Sequence, residues 1–241
     1  MTKDINKYLN KVVCGDCYKL IKEIPDKSID LIYTDFPYFF NYNKEQQTFR
    51  GAFKDIADKL QPMINDIDYS ILDEFIRVSK HIYIYIWCSE KQIFKIANYF
   101  ISKGFNPKIL VWCKTNSVRM NRKQFITDCE YCICIQETQG NDIGHQPSKF
   151  YISAVNSADK KRYLHPTVKP LDLVKEHISF LIKGDGIVLD PFIGSGTTAI
   201  ACKQLGLKYI GFEINQEYVD IANDRLNDIN QLDDKRQLKL F

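Results

Sequence analysis

The sequence has no apolar run that approaches the roughly 20 residues needed to cross a membrane, which excludes a transmembrane protein. Its N-terminus has no apolar segment followed by a small-residue cleavage site, so we expect no secretory signal and a cytoplasmic location. No internal repeat or low-complexity block occurs, which argues against a solenoid or a linker protein. The net charge is only +3, so bulk charge does not identify nucleic acid as a partner, and any basic surface must be local.

What the chain does contain is typical of a globular protein. With 241 residues, of which 45% are apolar, it can bury a substantial core in one large domain. Eight cysteines without a secretory signal are expected to be reduced thiols. Cys14 and Cys17 form a CxxC pair, but the cluster of Cys129, Cys132 and Cys134 lies in an apolar run typical of a buried strand. We therefore predict no metal site.

Apolar runs of strand length alternate with segments of helical periodicity. Two helices are predicted over residues 69–79 and 171–183, and the stretches 37–68, 114–128 and 137–170 fit neither pattern and are predicted to be loops. This alternation favours an α/β fold with a mainly parallel, Rossmann-like sheet covered by helices. The predicted strands are residues 11–14, 29–34, 81–87, 108–113, 131–136, 186–190 and 207–212.

A glycine-rich turn follows the strand that ends at Asp190. Gly194 and Gly196 allow a ligand to approach the backbone closely, and Glu213 ends the next strand, where a carboxylate can bind ribose hydroxyls. With Ala199, the two glycines also satisfy the GxGxxA pattern of dinucleotide-binding proteins. An NAD-dependent oxidoreductase is therefore one interpretation of this segment.

Two observations favour S-adenosylmethionine (AdoMet) over NAD. Only 56 residues remain from Gly186 onward, too few for a whole dinucleotide-binding sheet, so the other strands must come from earlier in the chain. The carboxylate of Asp190 would repel a pyrophosphate but attract the amino group of AdoMet. The single motif leaves both cofactors open.

A second candidate site follows the strand 29–34, in the sequence Asp35-Phe-Pro-Tyr38. Open α/β sheets bind ligands beyond the carboxyl ends of their strands, so this turn and the glycine turn should lie at one edge. The exocyclic amine of adenine or cytosine is a weak nucleophile, because its lone pair is delocalised into the ring. The Asp35 carboxylate and the Phe36 carbonyl could accept hydrogen bonds from its two N–H groups, and Tyr38 could stack on a base extruded from DNA.

In this order, the motifs resemble those of the DNA amino-methyltransferases that act on adenine N6 or cytosine N4, in the beta-class arrangement. Asp35-Phe-Pro-Tyr38 resembles the Asp-Pro-Pro-Tyr signature of the family, and Asp190-Pro-Phe-Ile-Gly-Ser-Gly-Thr197 resembles its AdoMet-binding turn. His165-Pro-Thr-Val-Lys-Pro170 and Val13-Cys-Gly-Asp-Cys17 match two further segments. The motifs span nearly the whole chain, with the catalytic motif before the AdoMet motif.

The resemblance implies a circularly permuted domain that methylates double-stranded DNA. Residues 1–113 would form its catalytic half, 114–164 a hairpin and target-recognition insertion, and 165–241 its AdoMet-binding half. The residues implied to hold the target base are Asp35, Phe36, Pro37 and Tyr38. Those implied to bind AdoMet are Asp16, Cys17, Asp35, Lys169, Asp190, Phe192, Gly194, Ser195, Gly196, Thr197 and Glu213.

Phe36 stands where the signature of the family usually has its first proline. The contributed acceptor is a backbone carbonyl, so the interaction can survive this change, but reduced activity, another target base or an inactive DNA-binding relative remain open. Asp35 favours adenine N6 by family analogy, since relatives that act on cytosine N4 more often carry serine there. Cytosine N4 therefore stays as the alternative.

The basic residues that could contact DNA are concentrated in one part of the chain. Nine basic and five acidic residues lie between Lys114 and Lys169. We expect phosphate or base contacts from Arg119, Arg122 and Lys123. The loop 41–68, with Arg50 and Phe53, is a candidate to close over the flipped nucleotide. A recognition region this small makes a homodimer credible.

Overall fold

The structure is a computed structural model that describes residues 3–37, 67–117, 125–141, 143–154 and 169–237, with the backbone alone for 229–237. Within these ranges the chain forms one eight-stranded sheet and six α-helices. The strands are β1 (Lys11–Cys14), β2 (Leu31–Asp35), β3 (Tyr83–Cys88), β4 (Lys108–Lys114), β5 (Cys129–Gln136), β6 (Phe150–Ser153), β7 (Ile187–Asp190) and β8 (Lys208–Glu213). The helices are α1 (Cys17–Leu20), α2 (Ile71–Val78), α3 (Glu90–Ser102), α4 (Leu171–Leu181), α5 (Thr197–Gln204) and α6 (Gln216–Gln237).

The strand order is β1-β8-β7-β2-β3-β5-β4-β6. Neighbouring strands are parallel except at β5, which runs antiparallel to both β3 and β4. The carboxyl ends of the other strands therefore share one edge of the sheet with the amino end of β5. The predicted α/β fold with a mainly parallel sheet is confirmed, and the seven predicted strands and two predicted helices are present within two residues of their predicted bounds.

The prediction of a loop over residues 137–170 was wrong at β6, which pairs with β4 at the margin of the sheet. β6 has only four residues, and their exposure alternates between exposed and partly buried. It therefore lacks the apolar run that identified the buried strands. Because β5 and β6 belong to the same sheet as the other strands, the described part of segment 114–164 is integrated into it, while its role in target recognition stays a prediction.

Helices cover both faces of the sheet, as the solidly apolar strands require. Along β2, Ile32 packs on the side of α1, α2 and α3, whereas Leu31 and Tyr33 pack on the side of α4, α5 and α6. All six residues of β3 are buried, as expected for a central strand covered on both faces. One hydrophobic core thus covers each face of the sheet, and ligands are expected at its edges. No helix in the described ranges is long and apolar enough to span a bilayer.

Candidate active site

The glycine turn connects β7 to α5 and has the backbone geometry that its sequence predicts. Gly194 and Gly196 have φ values of 51° and 83°, in the left-handed region that favours glycine. A Cβ atom on Gly196 would lie 2.8 Å from the Cβ of Ala222 on α6, so a larger residue would also collide with that helix. The backbone of the turn is therefore packed directly against α6 at Gly196.

Asp190 ends β7 and is 4% exposed. Its Oδ1 accepts a hydrogen bond from the Phe192 N–H at 3.1 Å, and its Oδ2 accepts one from the Thr198 hydroxyl at 2.6 Å. Burial raises the pKa of Asp190 to about 7, although these hydrogen bonds favour its charged form. The carboxyl group is thus close to half ionised at neutral pH. A cation beside it would stabilise its charged form.

Glu213 ends β8 and links that strand to the glycine turn. Its Oε2 accepts from the Gly194 N–H at 3.0 Å and its Oε1 from the Asn215 N–H at 2.9 Å. Burial raises the pKa of this carboxyl group, while those backbone donors stabilise its charged form. Glu213 lies at the strand end where the sequence predicts a ribose-binding carboxylate.

Asp16 and Cys17 follow β1, the neighbour of β8. The carboxylate of Asp16 caps α1 by accepting from the Tyr18 N–H at 3.0 Å, and the Gly15 N–H donates to the Glu213 carbonyl at 2.8 Å. Asp16 is thus at the same edge as Glu213. The Cys17 side chain packs in the hydrophobic core, and burial raises the pKa of its thiol to about 12. It is a neutral, packed thiol.

Arg225 on α6 forms hydrogen bonds to the middle of the glycine turn. Its Nη1 donates to the carbonyl and hydroxyl oxygens of Ser195 at 2.5 and 2.9 Å and to the Thr197 hydroxyl at 3.3 Å. All three residues are less than 9% exposed. The side chains of Ser195 and Thr197 thus fix the shape of the turn.

The Asp-Phe-Pro segment begins at the carboxyl end of β2, which pairs directly with β7. The Phe36 ring is fully buried and lies edge-on to the Phe192 ring of the glycine turn, with the ring centroids 5.4 Å apart. The Phe36 N–H donates to the Trp87 carbonyl at 2.9 Å, a bond that proline could not make. Phe36 is therefore a core residue that ties the two motifs together. The Gln92 side-chain amide donates to the Pro37 carbonyl at 3.1 Å and braces the segment.

Asp35 lies in a chain of alternating charges. Lys169, which is 6% exposed, makes ion pairs with Asp35 and with Glu130 on β5, the latter at 2.9 Å. Glu130 also pairs with Lys114 on β4 at 2.5 Å, and the ammonium of Lys169 lies 5.2 Å from the centre of the Trp87 ring. Asp35 keeps 24% of its side-chain surface exposed, although its Oδ1 atom is buried.

The sequence analysis missed several residues that build this site. Glu130, Arg225 and Gln92 belong to no recognisable motif, and their partners are distant in the chain. Glu130 did carry one signal, a charged residue inside a strand that is otherwise apolar. Tyr38, Arg50, Phe53, Arg119, Arg122, Lys123 and His165 lie outside the described residues. Within the described ranges no group of three or more histidine, cysteine or acidic side chains is arranged to hold a metal ion.

Comparisons with known proteins agree with this arrangement. The DNA methylase family that groups N6 and N4 enzymes matches residues 29–224. The type II methyltransferase M.HinfI of Haemophilus influenzae is 30% identical, over 95% of this chain and 71% of its own length. M.HpaI of Haemophilus parainfluenzae is 31% identical, over 90% of this chain and 74% of its own length.

Solved structures show the same fold. The M1.HpyAVI complex with SAM is 26% identical, with a TM-score of 0.61 over 89% of this chain and 98% of that one. The cytosine-N4-specific PvuII DNA methyltransferase has a TM-score of 0.67 over 88% of this chain and 84% of that one; at 18% identity it supports the fold alone. These matches remove the NAD-dependent oxidoreductase as an alternative. This chain belongs to the DNA methylase family, the AdoMet-dependent amino-methyltransferases of double-stranded DNA.

Proposed function

We propose that the chain methylates the N6 amino group of adenine, on a base turned out of the double helix, with Asp35 as the principal acceptor. The observation that carries this proposal is the pairing of β2 with β7, which brings the ends of these strands together. Asp35 and Asp190 are the last residues of those two strands. The turn proposed to hold the base thus adjoins the turn proposed to hold the methyl donor.

The side chains around the glycine turn fit AdoMet. Gly194 and Gly196 give the turn its left-handed backbone, and the buried carboxylates of Asp190 and Glu213 suit a cationic amino group and ribose hydroxyls. Asp16 and Lys169 are proposed to lie near the two ends of the ligand, with Phe192 against it. When bound, AdoMet supplies the electrophilic methyl group and leaves as a neutral thioether.

Asp35 and the backbone carbonyl of Phe36 are proposed to accept hydrogen bonds from the two N–H groups of the target amine. This favours a tetrahedral nitrogen and frees its lone pair to attack the methyl group; the methylated nitrogen then loses one proton to solvent, so no general base has to act before transfer. The Trp87 and Gln92 hydrogen bonds hold the backbone of the segment in place for this task. Tyr38 is proposed to stack on the extruded base.

Adenine is preferred because the signature of this chain begins with Asp35, as in the adenine enzymes that it resembles. Cytosine N4 would need the same two acceptors and is the alternative outcome. Arg50, Arg119, Arg122 and Lys123 remain proposed DNA contacts, and a homodimer remains a proposal of the same kind.

The target base can be determined directly. The chain is incubated with methyl-labelled AdoMet and mixed-sequence duplex DNA, which is then digested to nucleosides. We expect label on N6-methyl-2′-deoxyadenosine; label on N4-methyl-2′-deoxycytidine would replace adenine with cytosine, and absence of label would contradict the proposed reaction.

The role of Asp35 is tested by Asp35→Ala. We expect this variant to lose methyl transfer, because the base acceptor is gone, while AdoMet affinity measured by calorimetry stays close to that of the wild type. Asp185→Ala, an exposed change in the loop before β7, is the control and should transfer normally. Turnover by Asp35→Ala would remove Asp35 from the mechanism.

A further inference from the structure

We propose that Glu130 is a positioning residue of methyl transfer, which acts through Lys169 to hold the Asp35 carboxylate in place. This inference rests on the proposed role of Asp35 as the acceptor of the target amine. Glu130 itself does not need to touch the base or AdoMet.

The topology of the sheet explains how Glu130 reaches the site. β5 is antiparallel to β3 and β4, so its beginning lies at the edge where the other strands end. Glu130 is the second residue of β5, and its side chain is 12% exposed. Its Oε2 lies 2.9 Å from the Lys169 Nζ, and the same nitrogen contacts Asp35 on β2. One buried ammonium thus bridges two carboxylates from different strands.

The charge of Lys169 depends on these contacts. Burial by itself lowers the pKa of an ammonium group, but Asp35 and Glu130 outweigh it and raise the pKa of Lys169 above its ordinary value. Burial would likewise raise the pKa of Glu130, but Lys169 and Lys114 lower it to about 2. Each charge in the cluster therefore stabilises its neighbours.

Other titratable groups around the cluster do not replace Glu130. Cys88 on β3 and Cys132 on β5 influence Lys169 or are influenced by it, but burial raises the pKa of both thiols, to about 12 for Cys88, so they are neutral. Asp35 acts on Asp190 of β7 as a like charge and raises the pKa of Asp190, which is ionised only from about neutral pH upward. The Trp87 ring offers Lys169 a π-face without a formal charge.

Glu130→Gln removes one of the two carboxylates that contact Lys169 while keeping the shape of the side chain. Lys169 should then lose its proton at a lower pH, although it keeps its contact with Asp35. Without Glu130, the ammonium of Lys169 is no longer held on β5, so the Asp35 carboxylate that it contacts is placed less firmly for the amine. The substitution should therefore lower kcat.

The kinetic test compares kcat and the KM for AdoMet of the wild type, Glu130→Gln, Glu130→Asp and Glu137→Gln. We expect Glu130→Gln to lower kcat about tenfold or more, with little change in the KM for AdoMet. Glu130→Asp, which restores the charge, should recover most of kcat. Glu137 lies exposed just beyond the opposite end of β5, so Glu137→Gln should behave as wild type. A kcat for Glu130→Gln equal to that of the wild type would overturn the proposal.

A second measurement needs no activity. The protein is labelled with ¹³C at lysine Cε, and the Lys169 signal is identified by its loss in Lys169→Met. We expect this signal to titrate at a lower pH in Glu130→Gln than in the wild type, and coincident titrations would also overturn the proposal. If the wild type transfers no methyl group, the proposed function fails, and this titration still decides whether Glu130 controls the charge of Lys169.

Discussion

The buried carboxyl group of Asp190 should make the stability of the protein depend on pH near neutrality. Burial raises the pKa of Asp190 to about 7 in the folded chain, from an ordinary value of 3.8. The folded protein therefore binds this proton more tightly than the unfolded chain, so the associated stability is fully present below about pH 4 and is lost progressively as the pH rises through about 7. The predicted change has the opposite sign to that of a surface carboxylate in a salt bridge.

The magnitude follows from the same pKa. Between pH 6 and pH 8 the Asp190 contribution to the free energy of unfolding should fall by about 1.4 kcal/mol. For a folded pKa of about 7, the statistical weight that proton binding adds to the folded state falls about tenfold over this range, and a tenfold change corresponds to that free energy. For a chain of this size, such a change lowers the melting temperature by roughly 3–5 °C. The effect is large enough to measure by urea titration followed by circular dichroism.

Asp190→Asn tests this reasoning with little change of shape. The amide oxygen can still accept from the Phe192 N–H, and the amide nitrogen can donate to the Thr198 hydroxyl, but the group no longer ionises. Between pH 6 and pH 8, the free energy of unfolding of this variant should fall by about 1.4 kcal/mol less than that of the wild type. Asp185→Asn, an exposed change just before β7, is the control and should follow the wild type. Equal losses in wild type and Asp190→Asn would refute the reasoning.

Two further predictions concern the glycine turn and its neighbour. AdoMet affinity should fall roughly fivefold from pH 7 to pH 6, because protonation removes the Asp190 charge that would attract the amino group. Calorimetry of the wild type and of Asp190→Asn at both pH values checks this. A wild-type affinity that does not depend on pH would show that Asp190 does not bind the amino group. Phe36→Ala should lower the free energy of unfolding by about 3–5 kcal/mol, since it empties a fully buried site against Phe192 and Phe75. A loss below about 1 kcal/mol in urea titration would contradict the packing role of the Phe36 ring.

Local sequence features were sufficient to predict most of the architecture. Strands buried on both faces appear as solid apolar runs, and a glycine turn or an Asp-Phe-Pro-Tyr segment directly after such a run indicates its position at a strand end. The meeting of Asp35 and Asp190 at one edge followed from the general behaviour of parallel α/β sheets. The short strand β6 escaped detection because only part of each residue is buried.

The tertiary structure decided how these residues are supported. The partners Lys169 and Asp35 are 134 residues apart, and Arg225 and Ser195 are 30 residues apart. No pattern in one strand or helix encodes such pairs, because they depend on which strands become neighbours in the sheet. Strand order likewise brought Glu130 to the site, since the reversed direction of β5 turns the start of that strand toward the ends of the others. The sequence by itself determined the residues of the two motifs and the strands that carry them, whereas the charges and packing that hold those residues arise only when the sheet assembles.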